Sequence, residues 1–182
     1  MSVVESTKQL APAGTWNADT VHSNVSFEVE YSGVNAFRGS FADFSATLTG
    51  SSLEGSAKVA SIDVKDEQLN GHLQAPDFFD AERHPEISFR ATELHRLDDD
   101  RVEGSGELTI KGVTQPVQLT GKIAATTVTD PMGRERLGLK LETEIDRTKY
   151  GVSWNAPNQS GGDYVANDVK LIAELAFVKA EA

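Results

Sequence analysis

Apolar and polar residues alternate along most of this chain. Val102, Gly104, Gly106, Leu108 and Ile110 share one phase, and Glu103, Ser105, Glu107, Thr109 and Lys111 share the other. After the turn Gly112-Val113-Thr114-Gln115-Pro116, the pattern resumes with Val117, Leu119, Gly121 and Ile123. Successive strand side chains face opposite ways, so this stretch predicts a β-hairpin with one dry and one wet face. Leu137, Leu139, Leu141, Thr143 and Ile145 repeat the pattern, as do Val169, Leu171, Ala173, Leu175 and Phe177. Upstream, Gly14 to Asp19 reads as a first strand, followed by Val25, Phe27, Val29 and Tyr31 and later by Ile87, Phe89 and Ala91. The phase slips between the set Phe37, Gly39, Phe41 and the set Ala42, Phe44, Ala46, Leu48, which predicts a bulge or bend in one long strand. A similar slip occurs between Leu53 and Val64.

Two segments break the alternation. In 66–85, Asp66 is placed to cap a helix with Leu69 and Leu73 on one side, and Phe78-Phe79 and His84-Pro85 follow. This predicts a short amphipathic helix and an irregular lid. The second segment, 147–168, contains Tyr150, Gly151, Trp154, Pro157, Gly161, Gly162 and Tyr164. A loop of that length in a compact β domain usually serves a function.

About eight long strands in meander order predict an all-β fold, an up-and-down antiparallel barrel rather than a sandwich. A barrel of eight strands is just wide enough to be filled by side chains or to hold one small ligand. The inner phase mixes Leu, Ile, Val and Phe with Gly104, Gly106, Gly121, Ala91 and Thr143. That mixture leaves a filled core and a ligand tube both open. Likewise, Tyr150, Trp154, Phe78 and Phe79 read either as a plug or as the mouth of an apolar pocket.

Composition narrows the function. The chain has 182 residues and reads as one domain over 14–182 behind a flexible polar tail, 1–13. Its net charge of −11 argues against nucleic acid, which is bound through clustered Lys and Arg, and against attachment to anionic membranes. With no cysteine there is no disulfide and no thiol chemistry. No apolar run reaches transmembrane length and Met1-Ser2-Val3-Val4-Glu5-Ser6 does not read as a secretory signal, so the expected location is the cytoplasm, without stable membrane insertion.

Catalytic signatures are weak. His22, His72, His84 and His95 show no metal-ligand spacing, and neither a nucleophile elbow nor a phosphate loop is present. His22 and Ser23 are adjacent and would point to opposite faces of a strand. Asp98-Asp99-Asp100 reads as a solvated turn. Asp77 and Asp80 flank Phe78-Phe79 and read as loop and capping groups. An enzyme acting on lipids would have to draw an acid/base pair from His22, Tyr31, His72, His84 and these carboxylates. A stress-related structural protein with a filled core is a third reading.

Several pieces, in order and spacing, resemble the YceI-like family of lipocalin-like lipid-binding proteins. They are Trp16-Asn17-Ala18-Asp19, His22-Ser23-Asn24-Val25-Ser26-Phe27, Arg38-Gly39-Ser40-Phe41, and the run from His72 through Phe78-Phe79-Asp80 to Phe89. Gly106 to Val117 and the stretch from Asp146-Arg147 to Tyr150-Gly151 complete them, so the resemblance covers Gly14 to about Val178. It implies an extended eight-stranded antiparallel barrel with a short helix and long loop insertions. It also implies an elongated channel for a polyisoprenoid, quinone-like lipid or other fatty amphiphile, no catalytic activity, no cofactor besides that lipid, no metal and a homodimer. On this reading the lipid is contacted by Phe27, Val29, Tyr31, Phe44, Leu69, Leu73, Phe78, Phe79, Phe89, Leu119, Leu139, Leu141, Tyr150 and Trp154. Tyr31 stands where the family often has histidine, which implies a different polar contact near the lipid.

Overall fold

The computed structural model describes residues 10–31, 33–98, 100–152 and 165–181. Thirteen strands among these join one antiparallel sheet. They are β1 (Thr15–Ala18), β2 (Asn24–Tyr31), β3 (Asn35–Phe41), β4 (Phe44–Thr49), β5 (Ser52–Lys58), β6 (Ile62–Asp63) and β7 (Glu86–Ala91). After β7 come β8 (His95–Arg96), β9 (Arg101–Ile110), β10 (Val113–Ile123), β11 (Val128–Thr129), β12 (Glu135–Asp146) and β13 (Val165–Lys179). The one α-helix among the described residues, α1 (Glu67–Leu73), lies between β6 and β7. No described helix is long and apolar enough to cross a membrane.

Strands β12, β10, β9, β7, β5, β4, β1 and β13 pair in that order, and β12 pairs with β13 to close an eight-stranded antiparallel barrel. β2, β3 and β6 extend the wall at one end. β13 explains how. Its C-terminal part pairs with β1 (Phe177↔Ala18) and its N-terminal part with β2 (Leu171↔Phe27), so β1 and β2 are two lengths of one wall position. β3 and β4 are likewise one strand broken at 42–43, where the sequence phase slips. β5 and β6 are separated by a 3-10 turn, Val59–Ser61, at the second slip. Each break keeps apolar residues inward after a change of phase, so Phe41 and Phe44 are both buried.

The end nearer β1 is solid. Leu10, Trp16, Leu48 and Phe177 are all 0 % exposed, and Leu94, Val102, Ile123 and Leu137 are buried with them. The indole Nε1 of Trp16 donates to the Pro12 carbonyl at 3.1 Å, which satisfies its polar atom. Of the tail expected over 1–13, residues 1–9 lie outside the described residues, while Leu10 and Ala11 are packed rather than loose. Both are buried, Ala11 N donates to Gly50 O at 3.0 Å, and Arg96 donates to Leu10 O at 3.3 Å. Two apolar residues in an aperiodic stretch carry no pattern, and only the open barrel base gives them a place to go.

The inward glycines serve this packing. A Cβ on Gly104 would meet Leu94, and one on Gly106 would lie 2.6 Å from Arg90 O and 3.0 Å from the Phe89 ring. A Cβ on Gly121 would overlap the Lys140 carbonyl. These positions allow close approach rather than opening a channel.

Candidate functional site

The other end of the barrel is hollow. A cavity of about 580 Å³ occupies it, within the roughly 300–1,000 Å³ span of small-ligand pockets. Its wall comes from alternate residues of the strands: Phe27 and Val29 of β2, Phe37 and Phe41 of β3, Phe44 and Ala46 of β4 and Phe89 of β7. Leu108 and Ile110 of β9, Leu119 of β10, Leu141 and Ile145 of β12, and Val169, Leu171 and Leu175 of β13 complete it. Phe27 tilts against Phe37 and Phe41 with ring centres 6.3 and 6.0 Å away. Its ring reaches over Gly39, where a Cβ would clash with it. Tyr31 also lines the cavity yet is 43 % exposed, so it marks a rim where the interior meets water.

Two insertions roof this end. The first begins at α1, where the Asp66 carboxylate accepts from Leu69 N at 2.9 Å and holds the first turn. That cap turns Leu69 and Leu73 to the cavity. The chain then folds back on itself, with Phe79 N donating to Leu73 O at 3.0 Å and Asp80 N to Ala75 O at 3.0 Å. This brings Phe78 and Phe79 inward. Phe79 meets Phe41 edge-on at 6.2 Å, and Phe78 meets His72 at 5.0 Å.

The second insertion opens with a 3-10 helix, Arg147–Tyr150, capped by Asp146, whose carboxylate accepts from Thr148 N and Thr148 Oγ1. Those hydrogen bonds hold the Asp146 carboxyl below the usual carboxylate range. Gly151 ends the helix at φ +77°, a left-handed conformation that glycine adopts without a Cβ penalty. Tyr150 and Val152 then face the cavity. Arg147 is 6 % exposed and donates to the carbonyls of Val152, Val165 and Ala166. It ties together the chain on either side of 153–164. The two roofs share one strut: Lys111 Nζ, at the β9–β10 turn, donates to Pro76 O at 2.6 Å and to Gly151 O at 3.2 Å.

Known proteins share this closed eight-stranded barrel fold. The model of the YceI-like domain matches residues 16–177. The chain belongs to the YceI-like family. A UPF0312 protein of Staphylococcus epidermidis is 29 % identical over 169 residues, spanning 89 % of this chain and 96 % of that one. A UPF0312 protein of Staphylococcus aureus is 28 % identical, spanning 87 % and 94 %. Among solved structures, Burkholderia cenocepacia BcnA matches at a TM-score of 0.71 with 22 % identity, over 87 % of this chain and 98 % of that one. A Saccharophagus degradans domain described as polyisoprenoid binding and implicated in plant cell wall breakdown matches at 0.68 with 11 % identity, over 93 % and 100 %. At these identities the solved structures speak to the fold.

Within this YceI-like barrel, twelve of the residues expected to meet a lipid line the cavity: Phe27, Val29, Tyr31, Phe44, Leu69, Leu73, Phe78, Phe79, Phe89, Leu119, Leu141 and Tyr150. Leu139 does not. It has the inward phase but lies one pair further toward the solid end, opposite Ile123 and Leu175, and is buried in core. Trp154 falls outside the described residues. Phase alone gives Leu108, Ile110, Ile145 and Val169 the same inward orientation as their neighbours, so their direction, though not their place beside the cavity, was readable. Arg147 was not, because nothing in a lone arginine near a turn signals burial.

None of the four histidines lines the cavity. His22 sits on the barrel exterior, 2.7 Å from Asp19. His84 packs over Gly112. Asp98 accepts from the backbone of Asp100 and Arg101 and from the Arg101 side chain, which makes it a turn cap.

Proposed function

We propose that the protein binds a long-chain isoprenoid, polyprenyl or quinone-like, or a similar fatty amphiphile, and carries or stores it without chemical change. The observation that supports this reading is the cavity itself, about 580 Å³ enclosed almost wholly by aliphatic and aromatic side chains. Such a space offers a hydrocarbon chain roughly 0.8 kcal/mol for each methylene removed from water. It offers a polar substrate little. Solid packing from Trp16 to Phe177 stops the chain at one end. The likeness in fold to a domain described as polyisoprenoid binding points the same way.

Specificity comes from the length of the hollow half and from the few polar groups at its roof. Native mass spectrometry of the purified protein, followed by organic extraction, should recover a co-purifying lipid. Protein stripped of lipid should take up a prenyl lipid in a one-to-one ratio and melt at a higher temperature, since a ligand at a hundredfold excess over its Kd stabilises by about 2.7 kcal/mol. Failure to recover a lipid, together with failure to take one up, overturns the reading.

A further inference from the structure

The geometry points to a ligand whose polar end is neutral, a hydroxyl or carbonyl, and is held inside the barrel by the hydroxyl of Tyr150 rather than at the solvent rim. This rests on the cavity being a lipid site. Tyr150 is 2 % exposed and lines the cavity. Its Oη is buried with no hydrogen-bond partner among the described residues. Buried hydroxyls are nearly always partnered, because an unmade hydrogen bond costs the whole desolvation of the group. Phenylalanine would fill the same space at lower cost. A tyrosine here is therefore explained by a partner that arrives from the cavity.

The ring is held ready for that partner. Asp146 caps the helix that carries it, Gly151 ends that helix, and Lys111 and Arg147 hold the Gly151 and Val152 carbonyls. A donor fixed in place before binding loses little entropy when the ligand arrives.

Charge selects the kind of head. Burial pushes the Tyr150 phenol above its ordinary pKa, so it stays protonated and can donate to a carbonyl or accept from a hydroxyl. A carboxylate or phosphate would need a cation to replace its water. Arg147 is the one cation among the described lining residues, and its Nε, Nη1 and Nη2 already donate to backbone carbonyls. Glu142, the other charged residue among the described lining, is itself an anion and holds Lys140 and Lys170 at 3.4 and 3.5 Å, so it offers no cation to a ligand head.

Phytane, phytol and phytanic acid share one branched skeleton and differ only at the head, so they separate chain from head. Each is delivered from cyclodextrin to lipid-free protein near neutral pH, and occupancy is read by native mass spectrometry. Wild-type protein should bind phytol about tenfold more tightly than phytane, the size of one ordinary hydrogen bond, and should bind phytanic acid no better than phytane. Tyr150→Phe should abolish the preference for phytol, while Tyr31→Phe at the rim should keep it. The lipid-free melting temperature of Tyr150→Phe should equal or exceed that of wild type. A phytol preference that survives Tyr150→Phe, or that is lost instead in Tyr31→Phe, overturns the assignment. So does a clear fall in the lipid-free melting temperature, which would mean the hydroxyl is already bonded within the protein. Phytanic acid binding as tightly as phytol overturns the neutral head. If wild-type protein binds none of the three, the lipid reading itself fails and this assignment falls with it.

Discussion

At the scale of single residues, position along the barrel decides what an inward side chain does. Leu139 and Leu141 are two residues apart on β12 and point the same way, yet Leu141 borders the cavity and Leu139 lies in solid core. Truncating Leu139 opens a hole in close packing and should cost about 2–5 kcal/mol. Phe78 instead faces space that is already empty, so Phe78→Ala enlarges a cavity and removes contact surface from its occupant. We predict that Leu139→Ala lowers the melting temperature of the lipid-free protein more than Phe78→Ala does, while Phe78→Ala lowers lipid occupancy more. Matched purification, with occupancy by mass spectrometry and melting by circular dichroism, separates the two. Occupancy that merely follows stability in both variants would refute the distinction. Glycine behaves by position as well. Gly106→Ala would strike the Arg90 carbonyl and press on the Phe89 ring that borders the cavity, and Gly121→Ala would strike the Lys140 carbonyl.

At the scale of elements, two insertions that are irregular in sequence are regular in function: each delivers apolar side chains to the same roof. α1 has only seven residues, too short to persist alone, and depends on its Asp66 cap and on Leu73 being buried. Lys111 is what joins the roofs. Its two hydrogen bonds to Pro76 and Gly151 cross between segments that share no strand pairing. Loops open more readily than barrel strands, so loss of this strut should loosen the roof before the wall. In Lys111→Met, hydrogen exchange should speed up at 77–80 and 150–152 while β9, β10 and β12 keep their protection, and bound lipid should exchange several-fold faster. Equal exchange at the roof in both proteins would show that the strut holds nothing that matters to entry.

At the scale of the whole molecule, charge ties the solid end together. Arg136 donates to Asp19 at 3.0 Å and to Asp130 at 2.7 Å, joining the loop after β1 to the turn between β11 and β12. Hydrogen bonds from His22 and Arg136 lower the Asp19 carboxyl to about 2. Those from Arg136 and from the backbone of Arg134 and Met132 hold Asp130 well below the usual range. Both folded values lie below the unfolded one near 3.9. Their contribution to stability is therefore complete above about pH 4 and is lost as pH falls, for Asp19 through about 2 and for Asp130 lower still. Arg136→Gln removes the shared partner and should move the acid-unfolding midpoint, followed by circular dichroism, to higher pH. An unchanged midpoint would show that these carboxylates titrate alike in the folded and unfolded chain.

Local pattern determined the strands, their inward faces, the capped helix at Asp66 and the two breaks at Ala42 and near Val59, because a period of two and a capping carboxylate are readable within a few residues. It determined an antiparallel barrel of about eight strands through meander order, and the motifs named the family. Tertiary structure alone decided how the interior is divided. Leu139 and Leu141 have the same phase, and the residues that fill one end, Leu10 and Ala11 among them, come from a stretch without periodicity. Burial of Arg147 and isolation of the Tyr150 hydroxyl were likewise invisible, since each depends on what distant segments bring alongside. Phase states which way a side chain points. Whether it meets another side chain or a void depends on the closure of all eight strands, and that is a property of the whole barrel.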